Sequence, residues 1–171
     1  MLSQGATNHL GRVCMKRTIG VLLLVACVAT IGFTQAKKNA GNSLMGAWKV
    51  VETTSPSGDK NSSPQPGLYI FTSKHYSVMA VTGTQPRPKY ADQVKATDKD
   101  KVATFDQFTA NSGTYTVSGN TLKVRPIVAK NEFVMSGPEI ESEIKLEGNN
   151  LTLTAMNGAV KGTVTKLMRV E

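Results

Sequence analysis

Residues 139–158 read EIESEIKLEGNNLTLTAMNG. From Glu139 to Glu147 the pattern repeats every second residue. Ile140, Ser142, Ile144 and Leu146 fall on one side, and Glu139, Glu141, Glu143, Lys145 and Glu147 on the other. Successive side chains of a strand point to opposite faces, so this period predicts a β-strand with one dry and one wet face. Gly148-Asn149-Asn150 reads as a turn. Leu151, Leu153 and Ala155 then alternate with Thr152 and Thr154. Asn157-Gly158 is a strong hairpin signal, since both residues tolerate the positive φ that tight turns need. A last strand is predicted over Val160 to Val170.

The same grammar extends upstream. Gly113 to Val117 and Thr121 to Val128 flank the turn Ser118-Gly119-Asn120. Leu68 to Thr72 and Tyr76 to Val81 flank Ser73-Lys74-His75, and Gly46 to Thr54 reads as the first strand. Residues 55–66 consist of turn formers and predict a loop. Gln85-Pro86-Arg87-Pro88 ends the sheet locally, because proline cannot donate to a ladder. Residues 97–110 change period, with a helix expected from Asp98 to about Thr109. Thr97 is placed to cap a helix with Asp100 three residues on, and Val102, Phe105 and Phe108 share one helical face. Such a face must be buried, so the helix is expected to lie across a barrel mouth as a lid with Phe105 and Phe108 inward. Eight strands joined mainly by short connections predict an all-β, eight-stranded, antiparallel up-and-down barrel with one short helix. Closure removes exposed edges.

The first 36 residues read differently. Met15-Lys16-Arg17, an apolar run from Ile19 to Phe33, and Thr34-Gln35-Ala36 follow the order of a secretory signal peptide. The expected organisation is a leader over 1–36, with Met15 as an alternative start, a flexible segment over 37–43, and the barrel over 44–171. Export to the periplasm or medium is the expectation. Leu24-Val25-Ala26-Cys27 resembles a lipobox, which would anchor the protein to a membrane through Cys27; the apolar residues 28–33 beyond it weigh against that. The two cysteines, Cys14 and Cys27, both fall in the leader, so the mature chain has no disulfide, thiol nucleophile or thiolate metal site. The formal charge of +8 falls by three when Arg12, Lys16 and Arg17 leave with the leader. The remaining bases are scattered, which argues against a nucleic-acid partner.

The ordered set of motifs resembles the bacterial lipocalin-like domain family. Gly46-Ala47-Trp48 matches the G-x-W that opens lipocalin-type barrels. Gly67 to Thr72, Tyr76 to Ala80, Arg87-Pro88, the helix begun by Ala96-Thr97-Asp98, Ser112 to Tyr115, Leu151 to Thr154 and Leu167 to Val170 follow in family order over residues 44–171. Lys74-His75 departs from the Asp-Gly usual in that hairpin. The resemblance implies the fold and carries no activity with it. In a closed meander the first and last strands are neighbours, so Arg169 is expected to cover the indole of Trp48 and close one barrel end.

Candidate site residues follow from the barrel. Tyr69, Phe71, Tyr76, Arg87, Phe105, Phe108, Tyr115 and Phe133 are the candidates for contacting a ligand, since inward tyrosines give an apolar wall with hydrogen-bonding tips. His75, the one histidine outside the leader, reads as a solvated hairpin residue. Glu139, Glu141 and Glu143 read as a solvated face rather than a carboxylate site. No catalytic motif, metal set or cofactor-binding motif is recognised. The leading expectation is an exported binding protein for a small hydrophobic or amphipathic molecule. The alternatives are a barrel enzyme of isomerase or cyclase type and a structural protein with a filled barrel.

Overall fold

The computed structural model describes residues 43–171 apart from 88, 91, 93 and 94. The predicted leader, its Ala36 cleavage site, Cys14 and Cys27 lie outside the described residues. The elements are β1 (Gly46–Thr54), β2 (Lys60–Asn61), β3 (Gly67–Phe71), β4 (His75–Val81), α1 (Asp98–Asp106), β5 (Phe108–Ser118), β6 (Thr121–Ala129), α2 (Glu132–Met135), β7 (Ile140–Glu147), β8 (Asn150–Ala155) and β9 (Val164–Arg169). From β3 to β9 each strand pairs antiparallel with the next, and β1 pairs with both β3 and β9. The result is a closed eight-stranded barrel, with β2 a two-residue addition to the far end of β1.

Three boundaries differ from the sequence reading. The helix stops at Asp106 and β5 begins at Phe108, five residues earlier than expected. Residues 108–112 (FTANS) show no apolar alternation, yet they pair with β4 from Val81↔Phe108 to Ser77↔Ser112. Tertiary pairing overrides weak local preference here. The last strand begins at Val164 rather than Val160, because Lys161 N–H donates to Gly158 O (3.2 Å) and Thr163 N–H to Val160 O (2.9 Å), closing successive turns. The short α2 has no counterpart in the sequence reading.

The helix α1 is capped as expected. Thr97 Oγ1 accepts from Asp100 N–H at 3.2 Å, and Asp100 Oδ2 accepts from Thr97 N–H at 3.0 Å. Its apolar face is not buried. Val102 is 58% and Phe105 57% exposed, so the inward-facing lid is not what forms. Strand alternation explains Phe108 too: with Ala80 and Thr109 directly paired on the inner face, Val81 and Phe108 face outward.

One barrel end is sealed. Trp48, Phe71, Leu122, Leu151 and Leu167 are buried there with Leu44 beneath them. Trp48 Nε1–H donates to Leu44 O at 2.8 Å, and the Arg169 guanidinium lies over the Trp48 ring at 4.0 Å from its centre. Arg169 also donates to the carbonyls of Met45 and Ser43, the latter at 2.7 Å. Gly46 makes this possible. Its φ is +126°, and a Cβ there would overlap Glu171 O and sit 2.7 Å from Arg169 Nη1.

Candidate functional site: the open half of the barrel

The two ends of the barrel are built from different connections. At the sealed end, the strands turn through residues 72–74, 119–120 and 148–149. At the other end the connections run over 55–66, 82–107, 130–139 and 156–163 and carry both helices. Long loops at one rim of a rigid scaffold are where binding residues are usually carried.

Burial follows the same asymmetry. In the sealed half most inward side chains, among them Trp48, Phe71, Leu122, Leu151 and Leu167, are buried, with Val117 and Leu146 partly so. In the other half, the inward positions Ala80, Asn111, Ala129, Ser142, Ala155 and Thr165 are each only partly buried. Register places them on the inner face: Asn111 opposes Val78, Ser142 opposes Leu122 and Ala155, and Thr165 opposes Leu153. These inward positions carry small apolar groups, hydroxyls and one amide, above a core of larger aliphatic and aromatic side chains that Tyr69, Val78 and Val124 pack against.

Four of the aromatic candidates belong to the inner face. Phe71 and Tyr115 pack edge to face, 5.3 Å between centres and 76° between planes. Tyr115 Oη–H donates to Thr72 O at 2.7 Å, so this pair belongs to the sealed end. Tyr69 packs against the core, and its hydroxyl hydrogen-bonds Thr165. Burial raises the Tyr69 phenol above its ordinary value, and the Thr165 bond partly offsets this. Tyr76 is 2% exposed and its buried hydroxyl has no hydrogen-bond partner among the described residues. Burial pushes its pKa up to about 12, so it remains a neutral donor across the physiological range.

The other candidates sit at the rim or outside. Arg87 lies over the Phe108 ring at 5.4 Å and donates through Nη2 to Thr104 O at 3.3 Å. Phe105 carries the Lys130 ammonium over its ring at 3.9 Å. Lys130 also donates to the carbonyls of Phe105 and Phe108, the latter at 2.7 Å, satisfying acceptors left free at the end of α1. Phe133, on α2, is 83% exposed and lines nothing inside. Periodicity could not place Phe105 and Phe133, because both stand on helices outside the alternation of the barrel wall.

Two rim clefts open beside these residues. One, of about 210 Å3, lies between Phe108, Thr109, Asn111, Lys130 and Val134. A second, of about 750 Å3 and more open, is lined by residues including Pro66, Val81, Arg87, Lys89 and Tyr90. The sequence reading missed Asn111 and Lys130; a signal for Asn111 existed only in its register opposite Val78. The acidic face behaves as read: Glu141 pairs with Lys123 at 2.7 Å on the outer wall, and His75 is exposed. Among the described residues, no group of three or more His, Cys, Asp or Glu could hold a metal, and no helix is long and apolar enough to cross a membrane.

The chain matches the model of the lipocalin-like domain over residues 45–166 and belongs to that family. Among solved structures it is similar to a lipocalin-like protein from Bacteroides uniformis, at 14% identity and a TM-score of 0.45, covering 74% of this chain and 97% of that one. It is also similar to an uncharacterized protein from Bacteroides eggerthii, at 12% identity and a TM-score of 0.43, covering 74% and 98%. No curated protein matches.

Proposed function

We propose that this protein is an exported, non-catalytic binding protein that holds one small amphipathic molecule in the open half of its barrel. The observation that supports this reading is the burial gradient along the barrel axis. A barrel built only for structure gains from packed side chains throughout, whereas small residues at inward positions leave room at a stability cost. The apolar part of such a molecule would rest on Val78, Val124 and Leu153. Its polar part would meet Asn111, Ser142 and the Tyr76 hydroxyl. Export rests on the leader pattern of residues 15–36.

Native mass spectrometry of full-length protein purified from its own host tests the reading. The expected result is a bound small-molecule mass that is lost on denaturation. Protein that is bare in every charge state, and that also fails to take up a neutral apolar dye, would overturn it.

A further inference from the structure

We infer that the cleft beside Arg87 is a separate site for an amphipathic organic carboxylate. Arg87 is half-buried, and its Nε atom is buried with no hydrogen-bond partner among the described residues. A desolvated guanidinium is costly unless an anion or a full set of acceptors meets it. Among the described residues Arg87 has one such acceptor, Thr104 O. The chain contains twelve acidic residues, all within 52–171 and all at described positions, and none forms an ion pair with Arg87.

The cleft's other side chains point to the same ligand class. Lys89 adds a second cation, Tyr90 and Gln65 add donors, and no carboxylate lines the cleft among the described residues. Pro66, Val81 and Pro86 supply apolar wall. A planar guanidinium held over the Phe108 ring and hydrogen-bonded to Thr104 O suits a planar carboxylate, because its donors are pre-oriented. The apolar wall would take a short hydrocarbon body. Since Arg87 rests on the outward-facing Phe108, this site lies outside the barrel interior and stands or falls independently of the molecule proposed there.

The test is calorimetric titration of the full chain with sodium octanoate, octanamide and inorganic phosphate. Octanoate should bind at least about tenfold more tightly than octanamide, the scale of one hydrogen bond to a charged group. Arg87→Gln should abolish that preference while the sheet signal in circular dichroism persists. Lys89→Gln should reduce it less. Equal binding of octanoate and octanamide, undiminished preference in Arg87→Gln, or phosphate binding as tight as octanoate would each overturn the assignment. Should Arg87→Gln fail to fold, the wild-type amide spectrum decides. Octanoate but not octanamide should shift the Thr104 and Phe108 resonances, and unmoved resonances would overturn the site.

Discussion

Trp48 and Arg169 are directly opposed across the β1–β9 seam, with the guanidinium of one 4.0 Å from the ring centre of the other. This pair does three things at once. It buries the largest side chain of the core, closes the sheet on itself, and ties the last strand to Ser43 and Met45. Replacing Trp48 with Ala should cost about 3 to 5 kcal/mol, as for large buried aromatics. Arg169→Ala should cost about 1.5 to 3 kcal/mol through its charged hydrogen bonds to carbonyls. Arg169→Lys should recover little of that, since an ammonium cannot both lie flat on the indole and reach two carbonyls. Urea denaturation followed by tryptophan fluorescence measures all but the Trp48 variant, and circular dichroism measures that one.

A second prediction concerns the bulge between β5 and β6. The register shifts between Ser112 and Gly113, and a Cβ on Gly113 would overlap Arg125 O and lie 2.8 Å from Ile127 N. The obstacle is backbone and cannot rotate away. Gly113→Ala should destabilise by about 1 to 3 kcal/mol, the usual scale of overpacking. Gly119→Asn, in an open turn at φ +60°, should be nearly neutral. Thermal melts of the two variants give the comparison; similar losses would refute the bulge account.

Tyr76 gives a prediction in pH. Its phenol titrates at about 12 in the folded chain and near 10 when unfolded. The folded state therefore keeps a proton that the unfolded state releases. Stability from this group is complete below about pH 10 and is lost as pH rises from about 10 to 12. Tyr69 and Tyr115 are raised in the same direction by burial, so the Tyr76→Phe variant is needed to isolate the effect. That variant should lose part of the alkaline slope. At neutral pH it should be as stable as wild type or up to about 1 kcal/mol more so, because it removes a buried, unpaired hydroxyl. A large loss of stability at neutral pH would mean that the hydroxyl is satisfied after all.

The proposed binding half predicts its own blockade. Ala155 lies on the inner wall opposite Ser142. Ala155→Phe should fill the open half and leave the sealed core intact. Binding of the neutral dye Nile red by wild type should fall at least about tenfold in this variant, corresponding to roughly 1.4 kcal/mol. Denaturation midpoints should stay close to wild type. Undiminished dye binding in the folded variant would place the dye elsewhere.

Strands whose faces alternate cleanly are legible in the amino-acid sequence alone. Ile140 to Glu147 and Leu151 to Ala155 carry their register in their chemistry, and so do the Trp48 and Arg169 partners once closure is assumed. Phe108 to Ser112 is not legible, since polar and small residues become a strand only when β4 lies beside them. The proposed binding half is hidden for the same reason. Ala80, Asn111, Ala129 and Thr165 are unremarkable singly, and become a wall through pairings that no local pattern records. Aromatic character draws attention to Phe105 and Phe133, yet a helix places such side chains by its own period, independent of the barrel's inner face.

The seam between β1 and β9 has a consequence for how the molecule is made. Every other pairing within the barrel joins strands consecutive around the meander and can form as the chain lengthens. The seam joins residues 126 positions apart, as the Arg169 to Ser43 bond records. Loop-closure entropy makes such a contact slow to form. Until β9 arrives, β1 and β8 are both bare edges, open to pairing with other chains. The interval between synthesis of β8 and docking of β9 is thus the period of greatest aggregation hazard, and a chain truncated before Val164 would be held in it permanently.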